Sequence, residues 1–168
     1  TDGTGPCVFR HTSAGWTYLF STTLNQNINT GWCGDNGDLD WSWAESLFGL
    51  EVSPLNSQCI LITDWGFAHM STNGGSSWKQ VYTDISLQHP AGANTPQHAW
   101  YKGNGMENTS CWTISWLDSL NLLSGYSDIT GMQSDDKGNR WKKFPDVTEN
   151  SVYSIIKAPS GTIYAAAS

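Results

Sequence analysis

An eight-residue pattern occurs twice in this chain, and it limits the folds that the chain can adopt. The pattern runs from Ser71 to Trp78 and again from Ser134 to Trp141, with Ser, Asp or Asn, Gly and Trp at its first, third, fifth and eighth positions. Acidic or amide side chains bond the backbone N–H groups ahead of them, Gly accepts a positive φ, and Trp anchors the outgoing strand in a core. The two segments, called the Ser-to-Trp turns below, are therefore predicted to close β-hairpins.

The repetition extends beyond these turns. Residues 47–63 align without a gap on 111–127, and residues 152–168 align on the same segment. Short apolar stretches between turn signals predict four strands in each complete repeat, and no segment shows a helical period. The predicted strands are 47–52, 59–63, 67–70 and 78–82 in the first repeat, and 111–117, 122–126, 131–133 and 141–144 in the second. Four-stranded antiparallel units at this spacing are typical of β-propeller blades.

The fold predicted for the chain is therefore all-β, a partial propeller of about three blades. Residues 1–168 are expected to belong to one propeller domain. Its predicted parts are the end of a preceding blade with a long loop (1–46), a first full blade (47–82), an inserted loop (83–110), a second blade (111–144) and the start of a third (151–168). Because a closed propeller needs about four to eight blades, the remainder is expected from the same polypeptide or from other copies.

The Ser-to-Trp turn resembles the Asp box, also called the bacterial neuraminidase repeat, of propellers that include sialidases, xyloglucan-active glycoside hydrolases and sortilin-type receptor domains. Thr63-Asp64-Trp65-Gly66 is similar to the Thr-Asp-x-Gly turn that carries a catalytic Asp in the xyloglucan-active enzymes. The resemblance implies a glycoside hydrolase with Asp64 as a catalytic residue. A sialidase is a poorer fit, because such enzymes clamp their substrate with three arginines and this chain has only Arg10 and Arg140.

Strand parity predicts which loops share one end of the blades. In a four-stranded antiparallel sheet, the turn between the second and third strands and the connection to the next sheet lie at one end, and the Ser-to-Trp turn lies at the other. A sugar site needs flat aromatic rings beside carboxylates, and hydrolysis needs two carboxyl groups. The candidates on the predicted rim are Asp64 with Asp40 or Glu107 for catalysis, and Trp41, Trp43, Trp65, Trp100, Tyr101 and Asp128 for substrate binding.

Composition excludes some partners. The net charge is −7 and the eight Lys and Arg are scattered, which argues against nucleic acid. No apolar run is long enough for a membrane span, and neither a metal nor a cofactor is expected. Ten Trp and few Lys suggest a secreted protein. Its cysteines are expected either as the pairs Cys7–Cys33 and Cys59–Cys111 or as four buried thiols.

Two classes of function stay open at this point. One is a polysaccharide-binding propeller that also hydrolyses its glycan. The other is a non-enzymatic extracellular propeller that binds a protein or assembles with copies of itself. A second carboxyl group within about 10 Å of Asp64 would favour the first class.

Overall fold

The computed structural model describes residues 7–21, 27–29, 31–32, 47–64, 66–93, 95–96, 98–104, 109–144 and 147–168. These residues form strands and one 3-10 helix, Ile85–Leu87, and none of their helices is long and apolar enough to cross a membrane. The chain divides into two compact units, Thr1–Gly31 with Asp38–Thr95 and Trp32–Gly37 with Pro96–Ser168. The all-β class predicted from the sequence is confirmed.

The first unit contains a hairpin and a five-stranded sheet. Its strands are β1 (Cys7–Thr12), β2 (Gly15–Ser21), β3 (Ile28–Asn29), β4 (Gly49–Val52), β5 (Ile60–Thr63), β6 (Ala68–Ser71) and β7 (Trp78–Gln80). Strands β4 to β7 form an antiparallel meander, and β3 pairs in parallel along the edge of β7. The meander is one propeller blade, and β3 covers the backbone groups that β7 would otherwise expose.

The core of this unit lies between the β1–β2 hairpin and one face of the blade. Strand alternation directs Ile60, Ile62 and Trp78 to that face, where they are buried with Val8 and Phe20. The indole N–H of Trp78 donates to the backbone oxygen of Leu19 at 2.7 Å. The Trp of the first Ser-to-Trp turn thus anchors the blade to the preceding hairpin.

The second unit contains a complete blade followed by a hairpin. Its strands are β8 (Cys111–Trp116), β9 (Leu122–Tyr126), β10 (Gly131–Ser134), β11 (Lys142–Lys143), β12 (Val152–Lys157) and β13 (Ile163–Ala167). Strands β8 to β11 form a four-stranded antiparallel meander, and β12 pairs with β13. Phe144, Val152 and Ile155 form a buried cluster with Leu123 packed against it. With the two hairpins, the strands amount to about three blades of a propeller.

The two Ser-to-Trp turns share several hydrogen bonds. In each, the hydroxyl oxygen of the first-position Ser accepts the N–H of the fifth-position Gly, at 2.9 Å in one turn and 2.8 Å in the other. The third-position side chain, Asn73 or Asp136, accepts the N–H of the seventh residue at 2.9 Å. Asn therefore replaces Asp in the first turn without loss of this bond.

The register confirms one predicted repeat alignment and corrects the other. In β12–β13 the strand partners and a β-bulge recur 41 residues after those of β8–β9, from Cys111 to Val152, so the alignment of 152–168 on 111–127 is confirmed. The gapless alignment of 47–63 is wrong beyond its first strand. Seven residues, 53–59, separate β4 from β5, whereas five, 117–121, separate β8 from β9.

The predicted Cys59–Cys111 disulfide is also wrong, because both residues are free thiols. Cys59 precedes β5 at the end of its sheet that carries the Ser-to-Trp turn, and its sulfur accepts the Asn56 side-chain N–H at 3.5 Å. Cys111 begins β8, at the opposite end of its own sheet. Cys33 lies outside the described residues, so the Cys7–Cys33 pairing stays a prediction.

Candidate functional site

Asp64 begins the turn that joins β5 to β6. One of its carboxylate oxygens, Oδ1, accepts the backbone N–H groups of Gly66 at 2.9 Å and Phe67 at 2.6 Å. The turn lies at the end of the blade opposite Asn73, as strand parity predicts. Asp64 is therefore a turn-forming residue, whatever else it does.

The second oxygen of this carboxylate differs from Oδ1 in its hydrogen bonding. Asp64 Oδ2 is buried and has no hydrogen-bond partner among the described residues. Burial raises the pKa of Asp64, although the two backbone N–H donors act to lower it. A carboxyl group that burial keeps protonated to higher pH is suited to donate a proton.

Asp118 provides an internal comparison for this effect. It accepts the N–H groups of Leu120 and Asn121 through one oxygen, at 2.8 and 2.9 Å, and so forms the same kind of turn. Asp118 is exposed, and its pKa is lowered, first of all by the N–H of Leu120. The opposite direction at Asp64 is thus due to burial and not to the turn.

An aromatic cluster follows the Asp64 turn. Phe67, whose N–H binds Asp64, packs against Tyr82 with a ring separation of 5.3 Å. His69 contacts Phe20 at 5.2 Å and Tyr82 at 6.0 Å. Burial lowers the pKa of His69 to about 3 from its ordinary value of 6.5, so the ring is neutral at neutral pH.

Asp128 does not have the position in its sheet that Asp64 has, contrary to the gapless repeat alignment. Counted from the paired strands, the residue equivalent to Asp64 is Tyr126, because the β9–β10 turn is one residue longer than the β5–β6 turn. Asp128 has a φ of 65° and accepts the side-chain N–H of Asn150 at 3.2 Å. Its own N–H donates to the hydroxyl of Ser151. The β9–β10 turn places Asp128 at the predicted end of the blade.

Trp100 and Tyr101 lie at the wrong end of the second blade for the predicted rim. Tyr101 exchanges backbone hydrogen bonds with Trp141, at 2.9 and 2.8 Å, and is only 1% exposed. Trp100 is covered by the guanidinium of Arg140, 4.6 Å from the ring centre. Both partners belong to the second Ser-to-Trp turn. Trp100 and Tyr101 thus lie along the edge of the second blade, next to the start of β11.

Two exposed aromatic residues were missed by the sequence reasoning. Trp112 and Tyr153 occupy the same position in successive repeats, each at a β-bulge at the start of a first strand. Their rings are 5.7 Å apart, beside the turn that contains Asp128. Phe48, which is also exposed, aligns with Trp112 in the repeat, but it precedes the first paired residue of β4 and does not lie in a bulge. This recurrence of aromatic residues is a signal that the sequence contains.

The remaining predicted site residues, Asp40, Trp41, Trp43, Trp65 and Glu107, lie outside the described residues. Their roles stay predictions, as does the second carboxyl group needed beside Asp64. Within the described ranges, no group of three or more His, Cys, Asp or Glu side chains is arranged to hold a metal ion.

Comparison with known proteins identifies no family. No family model matches the chain, and no curated protein matches it. Among solved structures, YCF48 from Cyanidioschyzon merolae is 16% identical with a TM-score of 0.31, and the match covers 95% of this chain and 62% of that one. An ancestral GH74 enzyme is 18% identical with a TM-score of 0.28, with 98% of this chain and 21% of that one covered. The chain thus spans less than two thirds of either structure. At such TM-scores the likeness carries no argument, and the blade assignment rests on strand order and register.

Proposed function

We propose that this chain is part of a secreted Asp-box propeller that binds a neutral polysaccharide and hydrolyses it, with Asp64 as the proton donor. The supporting observation is the state of the Asp64 carboxyl group. One oxygen is held by two backbone N–H groups, while the other is buried without a hydrogen-bond partner among the described residues, and the pKa is raised.

The raised pKa of Asp64 suits the first step of glycoside hydrolysis. A general acid must remain protonated at the working pH and deliver its proton to the glycosidic oxygen. The N–H groups of Gly66 and Phe67 fix the orientation of the Asp64 carboxyl group, which leaves Oδ2 as the atom that carries the proton. The second carboxyl group is assigned to Asp40 or Glu107 as part of the same proposal. Xyloglucan is the substrate to test first, because Thr63-Asp64-Trp65-Gly66 resembles the Thr-Asp-x-Gly turn of xyloglucan-active enzymes.

The Asp64→Asn variant tests the proposal. The amide oxygen of Asn accepts the same two N–H groups, so the turn is expected to persist, but the proton donor is lost. Release of reducing ends from xyloglucan should fall about 100-fold or more, while the affinity for xyloglucan, measured by calorimetry with an inactive oligosaccharide analogue, should stay within about twofold.

Asp118→Asn is the matched control, because Asp118 forms an equivalent but exposed turn. It should retain full turnover. Equal turnover in the wild-type chain and the Asp64→Asn variant would remove Asp64 from the mechanism. A wild-type chain that binds xyloglucan without cleaving it would overturn hydrolysis and leave glycan binding standing.

A non-enzymatic binding propeller is the second candidate, and a different observation favours it. Ile114 and Trp116 on β8 are 60% and 56% exposed, and among the described strands β8 pairs with β9 alone. Exposed apolar side chains on an open strand edge are typical of a surface that another chain covers. Such a protein would bind a partner or another copy and would show no hydrolysis.

A further inference from the structure

The start of β8 and the start of β12 carry equivalent β-bulges. In each strand the pairing register shifts, between Cys111 and Thr113 and between Val152 and Ser154, so that Trp112 and Tyr153 have no partner in the register. A bulge turns the extra residue out of the alternation of its strand and re-aims its side chain. Because the same irregularity occurs twice, both strands direct an aromatic residue to the same place.

The two rings form one exposed surface. Their centroids are 5.7 Å apart with the planes inclined at 60°, and Trp112 is 56% and Tyr153 46% exposed. Each ring is also held by its polar end. The indole N–H of Trp112 donates to the hydroxyl of Ser127 at 2.7 Å, and the hydroxyl of Ser168 donates to that of Tyr153 at 3.2 Å. The ring orientations are therefore fixed while much of their apolar area faces solvent.

Polar groups adjoin this aromatic pair. Asp128 follows Ser127, whose hydroxyl accepts the indole N–H of Trp112. The side-chain N–H of Asn150 donates to the Asp128 carboxylate at 3.2 Å, and the Ser151 hydroxyl accepts the Asp128 N–H at 3.2 Å. Carboxylate, amide and hydroxyl groups are the partners that sugar hydroxyls need, and aromatic rings suit the C–H faces of pyranose rings.

We infer that Trp112 and Tyr153 form a sugar-binding platform for a neutral polysaccharide, with Asp128 and Asn150 as the adjacent hydroxyl partners. The inference rests on the proposed function and specifies its ligand. Pyranoses with equatorial hydroxyls, as in β-1,4-glucans, are favoured because they present flat C–H faces. Anionic glycans are disfavoured by the neighbouring Asp128 and by the net charge of −7.

Calorimetric titration of the 168-residue chain with a soluble xyloglucan oligosaccharide tests the platform. Trp112→Ala and Tyr153→Ala should each weaken binding about tenfold or more, since each removes an aromatic contact. Tyr153→Phe keeps the ring and should bind within about threefold of wild type. Polygalacturonate, an anionic polysaccharide, should bind more weakly than xyloglucan to the wild-type chain.

Trp116→Ala is the matched control. Trp116 has the same 56% exposure and lies on the same strand as Trp112, but at the far end. It should leave the affinity unchanged, and circular dichroism should show the same β-sheet content in every variant.

The outcomes separate the two proposals. A wild-type chain that binds no neutral polysaccharide would overturn the proposed function together with the platform. If the wild-type chain binds the glycan and neither Trp112→Ala nor Tyr153→Ala weakens that binding, the platform alone is overturned, because the glycan must then bind elsewhere.

Discussion

His69 shows how one side chain can make stability depend on pH. It is buried among aromatic rings, and its pKa is lowered to about 3 from 6.5. Between these values the unfolded chain binds a proton that the folded chain does not. The contribution of His69 to the free energy of unfolding is therefore expected to decrease as the pH falls from 6.5 towards 3, on the order of 1 kcal/mol for each pH unit.

The second blade suggests the substitution that tests this effect. Met132, two residues before the second Ser-to-Trp turn, has the position that His69 has before the first, and it is equally buried. We predict that His69→Met loses less stability than wild type when the pH is lowered through this range. Urea unfolding at several pH values measures the difference. Parallel pH profiles for the two proteins would show that His69 does not titrate in this way.

At the scale of the turn, two glycines with the same backbone φ are expected to lose different amounts of stability when replaced by Ala. Gly75 and Gly138 are both the fifth residue of a Ser-to-Trp turn, and both have a φ of 88°. A Cβ atom at Gly75 would come within 2.9 Å of the Leu19 Cβ, whereas at Gly138 the described atom nearest to it would be one of the Trp141 ring, at 3.3 Å. The first turn is closed against the neighbouring hairpin and the second is not.

Gly75→Ala should therefore cost more than Gly138→Ala. Left-handed backbone strain accounts for about 1–2 kcal/mol in both variants, and the clash with Leu19 adds about 1–3 kcal/mol in the first. Gly15→Ala, with a φ of 106° and open space around the new methyl group, controls for strain alone. Chemical denaturation gives the three values. Equal losses at Gly75 and Gly15 would show that the hairpin yields to the added methyl group.

The strands and the repeat of 111–127 at 152–168 were predictable from the sequence, whereas the alignment of the first blade on the second and the position of the long loop were not. Apolar stretches and turn residues located all eight strands of the two blades to within about two residues. The gapless alignment failed because a two-residue difference between the loops 53–59 and 117–121 shifts the strand pairing. Trp100 and Tyr101 were expected at the opposite end of the second blade. That expectation failed because the length of a loop does not determine its route. The contact between Trp112 and Tyr153 depends on β-bulges, and the bulges become visible only in the strand pairing.

At the scale of the molecule, one edge of each complete blade is covered and the other is open. The last-strand edges are covered, by β3 along β7 and by Tyr101 at Trp141. Within the part of the chain that the structure describes, the first strands, β4 and β8, pair on one side only, and they expose Leu50, Ile114 and Trp116. Open edges with apolar side chains promote pairing with another strand. The open edge of β8 is therefore a candidate site for pairing with a strand of another chain.

The chain is accordingly expected to associate with itself when no other partner is present. Ile114→Lys places a charge on the open edge of β8, and edge lysines oppose strand pairing. Sedimentation velocity over a range of concentrations should show reversible oligomers for the wild-type chain and a shift towards monomer for the variant. Ile85→Lys is the control, since Ile85 is also exposed but lies in the 3-10 helix, away from any strand edge. A wild-type chain that stays monomeric at every concentration would contradict this use of the β8 edge, and an equal shift in the control variant would assign the association to surface charge in general.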